Sequence, residues 1–191
     1  GPFLPVNVVA YAIAQAGSEA QRESALAGLA AGEQIAAWCF SGRGPKAGVE
    51  PGAVKAEKSG NGFVLNGTAG FVQDAHNADL LLVTAAGGAG VSQFLIPAKT
   101  PGVTIAPLDA LDLGRRLADV RFDGVRVDAD ALVGEAGAAA DLVERQLQVA
   151  VTLQSAETVG VADRTLEFTL DWVKQRVAFG PSAALQHWRS S

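Results

Sequence analysis

A glycine-rich loop follows an apolar run near the start of the chain. The stretch Trp38–Gly48 reads WCFSGRGPKAG and holds three glycines and one proline. Glycine lets backbone N–H groups approach a ligand closely, and consecutive N–H groups can form an anion-binding concavity. Arg43 and Lys46 would add positive charge to such a site. Taken alone, the pattern favours an ordinary turn over a phosphate cradle, because Gly/Pro-rich stretches between periodic segments are usually plain loops.

The only cysteine, Cys39, lies in the apolar run beside Trp38 and Phe40. A lone cysteine cannot form a disulfide within the chain, which predicts a reducing cytoplasm as its location. The apolar neighbours favour a small buried hydrophobic side chain over a nucleophile at this position.

Composition and charge narrow the class of protein. Hydrophobic residues make up 49% of the 191 residues, so we expect a packed core rather than disorder. The formal charge is −5, and no basic face stands out, which argues against a nucleic-acid partner. The apolar residues 1–17 lack the positive region of a signal peptide and are too short and too polar to span a bilayer. We expect a buried helix there and no membrane insertion.

The elements that must position the loop fall into three parts, which together predict an α+β fold. Residues 1–33 read as two helices, the second beginning at Ser18 with Gln21 in the capping-box position. Residues 34–136 change to strand periodicity and predict a central antiparallel β-barrel or sandwich of about seven or eight short strands. Residues 137–191 begin with a long amphipathic helix of an incomplete bundle, with a stop signal at Phe179–Pro181.

Turn residues divide the strand-rich part. Ser59-Gly60-Asn61 separates two strand-like runs and predicts a hairpin. Asn66-Gly67 predicts a second tight turn, which leads into a strand at Ala69–Val72. Two further strands, Leu80–Val83 and Ser92–Ile96, flank a Gly-rich turn.

Several stretches resemble, in order, the motifs of the acyl-CoA dehydrogenases. AGSEAQRESALAGLAAGE resembles the family's G-S-E-x-Q followed by L-x-x-L-A-x-G-E, and NGFVLNGTAGFVQDAHNADLLLV resembles its G-Y/F-x-L/I-N-G segment with the A-D-x-x-x-V that follows. FLIP and DGVRVDADALVGEAG resemble the end of the family's β-domain, and QRVAFG resembles its R-x-x-F-G. The resemblance covers nearly the whole chain.

The resemblance implies a domain plan and a chemistry. Residues 1–33 would end an N-terminal helical domain, residues 34–136 would be the β-domain for flavin and acyl-CoA, and residues 137–191 would begin a C-terminal helical domain. Members of the family use FAD to introduce an α,β-double bond into an acyl-CoA thioester: a carboxylate base removes the α-proton while flavin N5 accepts the β-hydride. Electrons pass to an electron-transfer flavoprotein, and we expect a homo- or hetero-oligomer with chains of the same family.

The glycine-rich loop falls on the family's Y/F-x-x-S/T-E-P-x-A-G-S-D segment. The resemblance then implies cofactor contacts from Trp38, Phe40 and Ser41, with Ser41 in the position of the hydroxyl that hydrogen-bonds the flavin ring. Ala47 takes the place of the serine near the pyrophosphate and the CoA chain, so it is the expected substrate-binding position. Gly42-Arg43 replaces the family's Glu-Pro.

Two further segments carry expected cofactor contacts. Phe71, Val72 and Gln73 fall on the second flavin segment, where Gln73 replaces the threonine that approaches flavin N5. Arg176 and Phe179 match the R-x-x-F-G residues that meet the FAD of a neighbouring subunit in this family.

No residue can be assigned to the position of the family's catalytic glutamate, and no metal ligand is expected. Three hypotheses remain: an acyl-CoA dehydrogenase of fatty-acid oxidation, a non-catalytic partner subunit with a degenerate FAD site, or an unrelated β-barrel binding module. The altered loop and Gln73 favour the second, and the ordered resemblance argues against the third. We prefer the first interpretation, with the second as the alternative.

Overall fold

Short helical pieces precede the strands, and a long helix follows them. The computed structural model describes residues 1–42, 53–112 and 114–177. The chain divides into two compact units, Gly1–Ala150 and Val151–Ser191, and the described strands all belong to the first. Helix α1, Phe3–Ala16, packs against the sheet with Val9 and Ile13 fully buried, as predicted for an apolar helix at this position.

The second helical segment begins with the predicted capping box. The backbone N–H of Gln21 donates to Ser18 Oγ (3.2 Å), and the backbone N–H of Ser18 donates to Gln21 Oε1 (3.0 Å). The segment comprises α2 (Glu19–Gln21), a π-helical turn (Arg22–Leu26) and α3 (Ala27–Ala31). Gln21 Nε2 also donates to the carbonyl oxygens of Asp130 and Leu132, which ties this segment to the sheet.

Eight strands form one sheet among the described residues. They are β1 (Ala36–Cys39), β2 (Val54–Ser59), β3 (Gly62–Gln73), β4 (Leu80–Gly87), β5 (Gly90–Pro97), β6 (Val103–Pro107), β7 (Leu117–Val127) and β8 (Leu132–Val133). Their order is β6-β7-β3-β2-β4-β5-β8, with β1 also paired to β4. Most pairs are antiparallel, whereas β1 and β2 both run parallel to β4. In the part of the chain that the structure describes, no pairing joins β6 to β8, so the sheet is open.

The predicted α+β class, with strands between N-terminal helices and a long C-terminal helix, is confirmed. Successive residues of β4 face opposite sides of the sheet, as the pleat requires. Leu81 and Val83 join the core within the sheet, which also holds Phe94 and Phe122. Leu82 instead joins the cluster that α1 covers.

The hairpin at Ser59–Asn61 is confirmed, because Ser59 of β2 pairs with Gly62 of β3. The second predicted turn, at Asn66-Gly67, is wrong: β3 runs unbroken from Gly62 to Gln73. Gly67 has φ +134° and approaches the backbone of Ala53 so closely that a Cβ would collide with the carbonyl oxygen. A glycine needed for close approach therefore produced the same sequence pattern as a turn.

The predicted long helix is α4, Ala140–Gln175. Near its start, Val143 and Gln146 are buried in the first unit. Its part from Val151 belongs to the second unit and exposes large apolar side chains. The predicted stop signal at Phe179–Pro181 lies outside the described residues.

Candidate functional site

The two parallel strands meet β4 one after the other along the same edge. β1 pairs with β4 from Leu80 to Val83, and β2 pairs with Ala85 and Ala86. Thr84 therefore lies opposite the point where one strand ends and the next begins, a place that we call the strand break. β1 ends at Cys39 and β2 begins at Val54, and Gly42 and Ala53 are the described residues on either side of the predicted loop.

The two ends of the predicted flavin loop are close together at the strand break. A Cβ added at Gly42 would lie 2.7 Å from the Cβ of Ala53. Glycine at position 42 therefore allows the two ends to approach without a steric clash. The loop itself, including Ala47, lies outside the described residues.

Strand β3 brings the second predicted segment to the same place. The backbone N–H of Gly70 donates to the carbonyl oxygen of Ser41 at 2.8 Å. Ser41 thus lies beside Gly70, the chain neighbour of Phe71, although Ser41 and Phe71 are thirty positions apart in sequence. Two of the three segments predicted from the resemblance converge in the fold.

A bulge in β3 presents Phe71. Ala69 pairs with Val120 and Val72 pairs with Ala118, so β3 carries one residue more than β7 over this interval. Phe71 has φ +54°, in the left-handed region that costs a non-glycine residue about 1–3 kcal/mol. Its side chain is 53% exposed, whereas that of Val72 is 2% exposed. The bulge therefore turns an aromatic side chain outward from an otherwise buried stretch.

The end of β1 holds a pair of aromatic rings. Trp38 and Phe40 have ring centroids 4.7 Å apart, with planes tilted by 30°. Both side chains are partly buried. The indole Nε1–H of Trp38 donates to Thr84 Oγ1 at 3.1 Å, across the strand break. The indole orientation is therefore set by a hydrogen bond as well as by packing.

The other residues of the second segment are placed differently from Phe71. Val72 joins the core of the sheet, so only its backbone could reach a ligand at the surface. Gln73 is partly buried and pairs with Leu117. The next residue, Asp74, also has a positive φ, +56°, and its N–H donates to the carbonyl oxygen of Arg116 at 2.8 Å.

The third predicted segment is described only in part. Arg176 belongs to the second unit, where its guanidinium lies 4.5 Å from the centroid of the Trp172 ring and its backbone N–H donates to the Trp172 carbonyl. Phe179 lies outside the described residues.

The prediction that Cys39 is a buried hydrophobic residue is confirmed. Its side chain has no exposed surface, and burial raises the pKa of its thiol. A thiol held neutral in this way is a poor nucleophile. Among the described residues, no cluster of His, Cys, Asp or Glu could hold a metal ion. No helix within the described ranges is long and apolar enough to cross a membrane.

Thr84 is a residue of the site that the sequence reasoning missed. No motif marks it, since it lies within the apolar stretch LLLVTAA. The available signal was a polar residue in the middle of a buried strand, matched by Gln93 in the next strand. Thr84 and Gln93 are directly paired between β4 and β5, and both are buried.

The arrangement suits a planar ligand. Phe71 offers an exposed aromatic face, Trp38 and Phe40 offer a second aromatic surface, and Ser41 and Gln73 offer hydroxyl and amide groups. These side chains can stack and form hydrogen bonds, but none of the five is a general base at neutral pH. The site can therefore hold and orient a ring system, while proton abstraction needs another group.

Comparison with known proteins matches this part of the chain to a family. Residues 39–125, from the end of β1 into β7, match the family model described as "Acyl-CoA dehydrogenase, middle domain". The human short-chain specific acyl-CoA dehydrogenase, a mitochondrial protein, is 29% identical over 198 aligned positions, which cover 97% of this chain and 48% of that protein. The chain spans about half the length of the curated relatives it matches.

Solved structures agree with the sequence comparison. A glutaryl-CoA dehydrogenase from Mycobacterium smegmatis in complex with FADH2 superposes with a TM-score of 0.86 at 26% identity, covering 95% of this chain and 47% of that one. A chain of the ChsE4–ChsE5 complex from Mycobacterium tuberculosis gives a TM-score of 0.82 at 28% identity, covering 93% and 46%. With the motifs in order, the middle domain matched and the fold shared, the chain belongs to the acyl-CoA dehydrogenase family.

Proposed function

We propose that the strand break is the flavin face of an FAD-dependent acyl-CoA dehydrogenase. The observation that carries the proposal is the bulge at Phe71, which holds an exposed aromatic ring in a strained backbone beside Ser41. Strained residues persist where the surrounding structure imposes them, and they cluster at ligand sites. A relative whose structure is described with FADH2 supports the same cofactor for this chain.

The predicted contacts would differ in their roles. Phe71 packs against the isoalloxazine ring, the Ser41 hydroxyl and the Gln73 amide form hydrogen bonds to it, and Phe40 closes the site on the β1 side. Ala47, in the loop between Gly42 and Ala53, would lie along the CoA chain. Arg176 and Phe179 would contact the FAD of a neighbouring subunit, and residues 34–136 would form the flavin and acyl-CoA domain.

FAD supplies the hydride-accepting chemistry of an α,β-dehydrogenation when it is bound. The residues of the chain bind the ring, orient it and exclude water from one side of it. The α-proton of the acyl-CoA must go to a carboxylate that is not among the assigned residues. We also propose electron transfer to an electron-transfer flavoprotein, a role in fatty-acid oxidation and a cytoplasmic location.

A second candidate is a non-catalytic partner subunit in a heteromeric enzyme. The loop departs from the family motif at Gly42-Arg43, and Gln73 stands where a threonine is expected. One of the similar solved structures is described as a complex of two differently named components, ChsE4 and ChsE5. In this alternative, the chain contributes Arg176 and Phe179 to the cofactor site of its partner.

The visible absorption spectrum of the purified protein tests both candidates. We expect a yellow protein with flavin absorption bands, because Phe71, Trp38 and Phe40 offer aromatic surfaces to a flavin ring and Ser41 offers a hydroxyl group. A colourless protein that gains a flavin only when it is co-expressed with a related chain would support the partner-subunit alternative. A protein that takes up no FAD alone or with such a partner would contradict the proposed function.

A further inference from the structure

A chain of buried hydrogen bonds continues inward from Trp38. Thr84 Oγ1 lies 3.1 Å from the indole Nε1 of Trp38 and 2.9 Å from Gln93 Nε2. Gln93 Nε2 also lies 2.8 Å from Gln146 Oε1, and Gln146 Nε2 lies 3.5 Å from the carbonyl oxygen of Val8. We call Thr84, Gln93 and Gln146 the polar relay. It links the aromatic end of β1 to β4, β5, α4 and α1.

The relay begins at the strand break. Thr84 lies between the β4 residues that pair with β1 and those that pair with β2. It is on the same side of β4 as Leu82, the side that α1 covers. Thr84 itself has no pairing partner in the described strands β1 and β2, and the side chain of Trp38 hydrogen-bonds to it at this position.

The direction of the first hydrogen bond is certain from chemistry. The indole N–H is a donor only, so Thr84 Oγ1 must accept from Trp38. A threonine hydroxyl has a second lone pair, which can accept from the amide of Gln93 across the β4–β5 pair. Each of these groups thus restricts the orientation of the next, and the series of hydrogen bonds ends at the Trp38 indole.

Burying such a relay is unfavourable unless its groups are satisfied. Thr84 is 1% exposed, and Gln93 and Gln146 are fully buried. Gln93 Oε1 has no hydrogen-bond partner among the described residues, which leaves a polar atom unsatisfied. Apolar residues of similar volume would fill the same space without that penalty. Fold stability alone does not explain the relay, whereas the orientation of Trp38 does.

We propose that Thr84, supported by Gln93 and Gln146, is a positioning residue that orients the Trp38 indole at the flavin face. The inference rests on the proposed function and adds a consequence to it. Because the indole N–H is engaged by Thr84, Trp38 contacts the cofactor through its ring and donates no hydrogen bond to it. The relay also makes the geometry of this contact depend on the start of α4.

The test compares Thr84→Val, which removes the acceptor at nearly constant volume, with Thr84→Ser, which keeps it. Ser92→Ala is the matched control, because Ser92 in β5 is also buried, at 5% exposed. Its Oγ accepts a hydrogen bond from the backbone N–H of Gly137 at 2.8 Å, and this bond does not involve Trp38. Two quantities are measured: the indole Nε1–H resonance of Trp38 in the apoprotein, identified by its loss in Trp38→Phe, and the dissociation constant for FAD.

For Thr84→Val we expect a shifted, faster-exchanging indole resonance and about tenfold weaker FAD binding, which corresponds to one hydrogen bond. Thr84→Ser should keep the wild-type indole resonance and the wild-type dissociation constant for FAD. Ser92→Ala should lower the free energy of unfolding and leave the resonance and the dissociation constant unchanged. An indole resonance that does not move in Thr84→Val would overturn the relay. A shifted resonance with unchanged FAD binding would overturn the positioning role. Wild-type protein that binds no FAD would contradict the proposed function, and the positioning role with it, even where the indole resonance responds as expected.

Discussion

Two bulges lie between the same pair of strands, β3 and β7, and they are built differently. At the first, Leu65 pairs with Val125 and Gly67 pairs with Phe122, so β7 carries the extra residue. Glycines take the positive φ values there, +134° at Gly67 and +61° at Gly124. At the second bulge, the extra residue is on β3, and the positive φ value belongs to Phe71.

The difference separates a bulge that shapes the sheet from one that presents a side chain. Glycine adopts positive φ without a steric penalty, so the first bulge is nearly free of strain. The second keeps a phenylalanine where glycine would remove a strain of about 1–3 kcal/mol. Strained residues cluster at ligand sites, and the ring of Phe71 is 53% exposed, so a ligand can reach it. We therefore propose a structural role for the first bulge and a ligand-binding role for the second.

Among the substitutions at the two bulges, Gly67→Ala should have the largest effect on stability. Besides the unfavourable φ, the new Cβ would collide with the backbone of Ala53, so we expect a loss of about 3 kcal/mol or more in the free energy of unfolding. Gly60→Ala is the control, because position 60 has φ +59° but open space for a Cβ, and we expect it to lose about 1 kcal/mol. Urea unfolding measures both. Equal losses would show that the close approach at Gly67 is unimportant.

A smaller effect is expected from Asn66→Ala at the first bulge. Asn66 Oδ1 accepts the backbone N–H of Gly124 at 2.8 Å, at an exposed position. Removing this bond should reduce the free energy of unfolding by about 1 kcal/mol and leave FAD binding unchanged. The measurement is urea unfolding together with an FAD titration. Weaker FAD binding in Asn66→Ala would place the first bulge in the ligand site and remove the contrast between the two.

The smallest change in stability is expected from Phe71→Gly, although the substitution removes a whole aromatic side chain. Relief of backbone strain should offset the lost contacts and the flexibility of glycine, so the free energy of unfolding should stay within about 1 kcal/mol of wild type. By contrast, Phe94→Ala, at a fully buried ring, should lose about 3–5 kcal/mol. If Phe71→Gly lost as much free energy of unfolding as Phe94→Ala, Phe71 would be a residue that packs the fold, and the contrast between the two bulges would fail.

Local patterns predicted the local structure. The capping box of Ser18 and Gln21, the hairpin at Ser59–Asn61 and the long α4 each depend on residues that are near one another in sequence. Asn66-Gly67 misled because an Asn-Gly pair fits a tight turn and a bulge equally well, and only the partner strand decides between them. The resemblance predicted Ser41 and Phe71 in one site, and the structure places Ser41 beside Gly70, the chain neighbour of Phe71.

The strand break and the relay could not be predicted from the sequence. Both depend on where β1 and β2 meet β4, and parallel pairing of this kind carries no signature within either strand. The outward turn of Phe71 depends on its register with Val120 and Ala118 in β7. Long-range register therefore decided which aromatic residue became exposed, and sequence periodicity does not contain that information.

The dissociation constant for FAD of Phe71→Gly, compared with wild type and Asn66→Ala, tests the central claim most directly. If the second bulge exists to present an aromatic ring to the flavin, Phe71→Gly should bind FAD at least about tenfold more weakly at nearly unchanged stability. Phe71→Tyr, which keeps the ring, and Asn66→Ala should both bind within about twofold of wild type. Unchanged FAD binding in Phe71→Gly would contradict the assignment of the strand break as the flavin face.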